Sequence, residues 1–158
     1  MCLILVAWRV HPDYPLVVAA NRDEFFARPT APAAFWQDAP QVLAGRDLDA
    51  GGTWMGVTRS GRFAALTNFR DPAQNRGGAP SRGGLVKDFL CGDEDPQSYL
   101  KRVAAHGRAC NGYNLLVSDG ATLWWSSNMG GAARTLQPGV YGVSNHLLDT
   151  PWPKVGAG

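Results

Sequence analysis

Apolar residues open the chain in two nearly unbroken runs, 2–10 and 15–21, separated by HPDYP. Two prolines and Asp13 favour a turn there, so the pattern predicts an N-terminal β-hairpin. Both faces of these runs are apolar, which predicts burial on both sides. The next stretch, RPTAPAAFWQDAP, is punctuated by proline and reads as a loop anchored by Phe35 and Trp36. Strand character returns on either side of RSGR, within GGTWMGVTRSGRFAALTNFR. Gly61 can supply the positive φ of a turn, predicting a second hairpin whose last strand ends at Thr67-Asn68. DPAQNRGGAP then reads as a long, turn-rich loop of the kind that often carries function.

Helical signals follow. Ser81 can cap RGGLVKDFL, although Gly83 and Gly84 weaken its first turn. Asp95 can cap PQSYLKRVAAH, with Pro96 at the first helical position and Gly107 as the stop. Leu100, Val103 and Ala104 form one modest apolar face. Strands resume in YNLLVSD, TLWWSSN and GVYGVSN, the first two joined by an Asp119-Gly120 turn. Strands, two helices, then strands predict an α+β fold of largely antiparallel sheet. Neither a repeat nor a linker divides the chain, so 1–158 reads as a single domain. Loops at 27–50 and 70–80 are expected to set the size of any pocket.

Composition refines this picture without changing it. With 158 residues, 45% hydrophobic and 18% charged, the chain has the make-up of a globular protein. The net charge is +2 and the basic residues are scattered, giving no reason to propose nucleic acid as a partner. Cys2, Cys91 and Cys110 form neither a CxxC pair nor a zinc spacing, which points to a reducing, cytoplasmic setting. The opening run is too short for a membrane span and lacks a basic leader.

The chemistry centres on the start of the chain. Initiator methionine is normally removed before a small residue, and removal of Met1 would leave Cys2 carrying both a thiol and a free α-amine. Their reference pKa values, about 8.5 and about 7.7–8.0, allow nearly balanced proton exchange. Nucleophile and base would then be joined by covalent geometry. The alternative is a small buried strand residue. Asn21, Arg22, Asp23 and Glu24 end the strand that should pair with the first, which brings them near Cys2. Asp23 could hold the protonated amine, and Arg22 a thiolate or a substrate carboxylate. Alternation puts Asn21 and Asp23 on one face and Arg22 and Glu24 on the other. A solvated strand end with an internal ion pair is the competing reading.

Asn68, Asn114 and Asn145 lie at strand ends, where asparagine is disfavoured unless its amide is used. Each is either an oxyanion donor or a turn residue bonding its own backbone. His11, His106 and His146 lack ligand spacing, and no metal site is expected. The glycine-rich stretches GGTWMGV and RGGAPSRGG match neither a phosphate loop nor a dinucleotide fingerprint. Trp8, Trp36, Trp54 and Trp152 could line an apolar cleft.

The Met-Cys start, ANRDEF, GGTWMGVTRSGRFAALTNFR, SRGGLVKDFL, YNLLVSD and SNHLLDTPWPK together resemble the NRDE family, also called the transport and Golgi organisation family. The resemblance runs over nearly the whole chain. It implies an N-terminal-nucleophile-hydrolase-like αββα sandwich of mainly antiparallel sheets. Cys2 would be the nucleophile, Asn21, Arg22 and Asp23 its orienting group, and Asn114, Asn145 and Asn68 the oxyanion layer. In the related hydrolases the arginine and aspartate usually stand two apart, whereas Arg22 and Asp23 are adjacent. NRDE proteins typically continue past PWPK, so the resemblance also implies a C-terminally truncated domain. Two readings of the function stand beside it, the first resting on Cys2 together with the NRDE stretch, the second on the tryptophan-rich composition and the imperfect catalytic pattern. One is an N-terminal-cysteine amide hydrolase or acyltransferase acting on a small acyl substrate and needing no cofactor. The other is a non-catalytic carrier or chaperone for a hydrophobic ligand, haem or acyl-coenzyme A/lipid, in keeping with the haem-trafficking and lipid-metabolism associations of the family.

Overall fold

The computed structural model describes residues 2–74, 76–106, 109–151 and 155–156. The predicted hairpins all form. β1 (Leu3–Trp8) pairs with β2 (Leu16–Asn21), and β5 (Met55–Thr58) with β6 (Phe63–Asn68), where Gly61 adopts φ 86° in the turn. β7 (Tyr113–Ser118) pairs with β8 (Leu123–Ser127) across Gly120 at φ 89°.

The stretch read as a loop is instead strand. β3 (Thr30–Phe35) pairs antiparallel with β4 (Val42–Asp47). Pro32 misleads because a proline cannot donate to a ladder, yet β3 is an edge strand and its register shifts between Ala31 and Ala34. Trp36 does act as an anchor: it is buried, and its Nε1 donates to the Ala44 carbonyl at 3.1 Å. Phe35 stays exposed beneath the Arg59 guanidinium.

Between β6 and β7 the chain makes α1 (Gly83–Cys91) and α2 (Pro96–His106). Asp95 caps α2 by accepting the Ser98 N–H at 2.9 Å; at α1 the N-cap is Arg82 rather than the expected Ser81, whose Oγ accepts the N–H of Gly83, the first helical residue. The buried face of α2 is Pro96, Tyr99, Leu100 and Val103; Ala104, expected there, is exposed. Tyr99 takes that place because its hydroxyl reaches the Leu85 carbonyl of α1 while its ring packs on Phe89. The Gly107 stop lies outside the described residues. β9 (Arg134–Thr135) and β10 (Gly139–Val143) complete the strands among the described residues.

Among the described residues the strands form two antiparallel sheets, seven strands in the order β3-β4-β5-β6-β7-β8-β9 and three in the order β10-β1-β2. β6 and β7 lie mid-sheet and are apolar on both faces for that reason. Ala64, Leu66, Leu115 and Val117 face the helices, whereas Phe63, Ala65 and Leu116 face the smaller sheet. Ile4, Val6 and Trp8 of β1 meet the latter set. The layers are helices, large sheet, small sheet, an α+β arrangement.

The N-terminal hairpin is not buried on both faces as expected. Ile4 and Val6 are buried, but Val17 and Val140 on the outer face remain exposed. Both helices pack on the other sheet; on this side Val155 lies against Gly142.

Candidate functional site

Three strands cannot cover seven. β10 and β1 lie over the β6–β8 region, leaving the inner face of β3–β5 only partly roofed by β2. A cavity of about 910 Å³ results, walled by Leu16 and Val18 from β2 and by Leu43, Met55 and Phe63 from the large sheet. That size suits a small-molecule ligand. A second cavity of about 370 Å³ adjoins it near Asn68, Arg70, Asp71 and Asn145. Cys2, Asp23, Asn68, Arg82 and Asn111 line both, so the thiol stands where the two spaces meet.

Register explains the placement of Cys2. Leu3 pairs with Asn21 and Ile4 with Val143, which sets the start of β1 beside the end of β2 and the end of β10. Cys2 continues the inward-facing series Ile4, Val6 and Trp8, and is 8% exposed. The buried Ser144 hydroxyl donates to the Cys2 carbonyl at 2.6 Å and locks that end of the chain. Met1 lies outside the described residues.

The NRDE segment divides as alternation requires. Asn21 Nδ2 donates to Asp23 Oδ1 at 2.8 Å, and Arg22 pairs with Glu24 at 3.0 Å. β2 ends at Asn21, however, and the chain then leaves sheet geometry. Arg22, Asp23 and Glu24 consequently all reach the large cavity, while Asn21 lines neither cavity and acts on Asp23 from behind.

The three asparagines separate. Asn68 lines both cavities, and its carboxamide makes no hydrogen bond among the described residues. Asn145 is buried, lines the smaller cavity, and donates Nδ2 to the Asn68 carbonyl at 2.8 Å, tying β10 to β6. Asn114 lines neither. Its amide nitrogen donates to Thr67 Oγ1 and to the His146 carbonyl, and its Oδ1 is buried without a hydrogen-bond partner among the described residues. This is a brace between sheets rather than a donor facing a ligand.

Two features escape a reading by motif. Arg82 sits half-buried at the mouth of α1, donating Nη1 to the Gly112 carbonyl at 3.0 Å. Burial pushes its guanidinium below the ordinary value, partly offset by Cys110, Cys2 and Glu24. It is held there by the glycine-rich stretches, which pack backbone on backbone. A Cβ on Gly52 would lie 2.5 Å from the Gly83 carbonyl carbon, and the Thr53 N–H donates to the Gly83 carbonyl at 3.3 Å. The paired glycines were a visible signal. Ser144, by contrast, gives none in sequence.

On the wall of the large cavity, Arg28 donates Nε and Nη2 to Asp47 Oδ2 at 3.0 and 2.7 Å. Burial works against the Asp47 carboxylate, yet Arg28 and the Ala50 and Asp49 amides hold it below the usual range. The hydrogen bond to Asp47 raises Arg28 above its ordinary value. Of the tryptophans, Trp54 lines the cavity, Trp8 and Trp36 belong to the core, and Trp152 lies outside the described residues. None of His11, His106 and His146 lines either cavity. Among the described residues no three His, Cys, Asp or Glu side chains gather as a metal site, and no helix is long and apolar enough to cross a membrane.

A family model for Transport and Golgi organisation 2 matches residues 1–158. The chain is 44% identical over 168 residues to the Bos taurus Transport and Golgi organization protein 2 homolog, covering 98% of this chain and 60% of that protein. Identity to the Homo sapiens homolog is 42% over 168 residues, with the same coverage. The Drosophila melanogaster Transport and Golgi organization protein 2 is 32% identical over 177 residues, covering 100% of this chain and 62% of that protein. The chain thus spans about 60% of the length of the curated relatives it matches. It belongs to the Transport and Golgi organisation 2 family.

Proposed function

We propose that this chain is an acyl-transfer catalyst of the N-terminal-nucleophile type, with Cys2 as nucleophile. The observation that carries this reading is the position of Cys2 at the junction of a large and a smaller cavity, beside Arg22, Asp23 and Asn68. An acyl chain would lie between the sheets and the leaving group in the smaller space.

With Met1 removed, the α-amine takes the thiol proton and the sulfur attacks the carbonyl carbon of an amide or thioester. The carbon–oxygen double bond gives its electron pair to oxygen, and the Asn68 carboxamide donates to that oxyanion. Asp23, oriented by Asn21, holds the protonated amine. The tetrahedral intermediate collapses, the ammonium passes its proton to the leaving nitrogen or sulfur, and an acyl thioester remains on Cys2. Water or an acceptor amine then attacks, its proton returns through the α-amine, and the thiol is regenerated.

Peptide-mapped alkylation with limiting iodoacetamide at neutral pH tests this. Exposure alone ranks Cys91 first, since Cys91 is exposed, Cys110 half-buried and Cys2 buried. Burial also pushes the Cys91 and Cys110 thiols up. An activated Cys2 reverses that order, reacting fastest in a chain that lacks Met1. Retained Met1, or an inert Cys2 beside reactive Cys91 and Cys110, overturns the nucleophile.

The apolar side chains between the sheets, Leu16, Val18, Leu43, Met55 and Phe63, favour a second reading, a carrier for acyl-coenzyme A or another lipid. Binding of such a ligand that survives unchanged in Cys2→Ala, with no turnover in the parent chain, would select it. Haem fits less well, because Cys2 is the sole His or Cys lining either cavity among the described residues.

A further inference from the structure

The arginines of the large cavity differ in one respect. Arg22 is paired with Glu24, Arg28 with Asp47 and Arg46 with Asp38. Arg82 lines both cavities beside Cys2, yet among the described residues it has no carboxylate partner, and its one hydrogen bond is Nη1 to the Gly112 carbonyl. A half-buried guanidinium with no ion pair among the described residues, eased only in part by the nearby charge of Glu24, bears a desolvation cost that a bound anion would offset. The bond to Gly112 spends one nitrogen and leaves the Nε–Nη2 edge, the fork that fits a planar carboxylate. That edge belongs to a residue at the junction of the two cavities, bordering the smaller space together with Cys2 and Asn68.

We propose that Arg82 recognises a carboxylate on the leaving group, so that the site takes amides joining an apolar acyl chain to a carboxylate-bearing amine. The substrate class rests on the Cys2 reading; the carboxylate site itself does not. Hydrolysis balances simply: the amide and one water give a fatty acid and an amino acid, with the C–N bond broken and the amine carrying away the proton. Arg82 holds the head, the cavity between the sheets holds the tail, and the carbonyl is suspended over the thiol.

Calorimetric binding to the Cys2→Ala chain, which cannot turn over its ligand, tests recognition apart from chemistry. The probes are N-dodecanoylglycine, its neutral counterpart N-dodecanoylethanolamine, and dodecyl phosphate. A charge-assisted bidentate contact predicts at least about tenfold tighter binding of the glycine conjugate over the ethanolamide. The preference should vanish in Cys2→Ala/Arg82→Gln. Should that variant fail to fold, Arg82→Lys decides, since it keeps the charge but loses the fork and must lower the preference several-fold.

Equal binding of the two amides, or no binding of either, overturns the proposal. So does a preference that survives Arg82→Gln. Dodecyl phosphate binding more tightly, and equally dependent on Arg82, would replace the carboxylate with a phosphate head. A fast-alkylating Cys2 without carboxylate preference sinks this inference alone. An inert Cys2 with the preference intact sinks the nucleophile and leaves a carboxylate-binding carrier.

Discussion

Gly52→Ala should cripple the support of the site through a single methyl group. The added Cβ would meet Gly83 carbonyl carbon at 2.5 Å, its oxygen at 2.7 Å and its Cα at 3.0 Å. All three are backbone atoms, so no side chain can rotate away. The start of α1 would have to retreat by close to an ångström, stretching the 3.3 Å bond from Thr53 N–H to the Gly83 carbonyl. Overpacking of this kind costs about 1–3 kcal/mol, and a lost hydrogen bond about 1 kcal/mol more. A total near 3 kcal/mol lowers the melting midpoint by roughly 6–12 °C in a chain of this size. Arg82 adjoins Gly83, so the anion preference should weaken together with stability. Urea unfolding at constant m reads the first effect, and calorimetry with the two dodecanoyl amides the second. Gly84→Ala supplies the opposite sign from the neighbouring residue. A Cβ there meets nothing within 4 Å, and alanine in α1 should stabilise by up to about 1 kcal/mol. Gly52→Ala within 0.5 kcal/mol of the parent, a threshold of about the usual surface-substitution scatter, would refute the close-packed glycine contact.

Two further outcomes follow from the hydrogen bonds at the site. Ser144→Ala removes the donor to the Cys2 carbonyl; it should cost about 1–3 kcal/mol in urea unfolding and alter the alkylation rate of Cys2 without changing that of Cys91. Asp47 is depressed in the folded state, so its contribution is present above the ordinary carboxylate value and is lost as pH falls through the lowered one. Arg28→Ala should therefore cost about 1 kcal/mol at pH 7, with the gap to the parent closing in acid; a gap that widens on acidification would contradict the pairing.

Much of the backbone plan is written in local pattern. Apolar runs flanking HPDYP, RSGR and Asp119-Gly120 make hairpins because strand pairing follows from period and turn chemistry. Asp95-Pro96 starts a helix for equally local reasons. Pro32 shows where local pattern misleads, since whether a proline breaks a strand depends on its lying at a sheet edge. Ala104 and Tyr99 show the same for helices, because which face is buried depends on what α1 presents.

The site divides along the same line. Cys2 and the Arg22–Asp23 pair stand out by position and charge alone, and antiparallel pairing is enough to bring them together. What sequence could not rank is the asparagines, three similar residues at three strand ends. Only the packing of one sheet on the other turns Asn114 inward to brace Thr67 and His146 while leaving Asn68 beside the thiol. Arg82 and Ser144 are likewise ordinary residues in the chain, made significant by contacts 30 and 142 positions away. Period and turn chemistry determined three hairpins, the two helices and the place of Cys2 at the start of β1. The cavity came from the mismatch of a three-stranded sheet over a seven-stranded one, and a mismatch between layers exists only once the layers have packed.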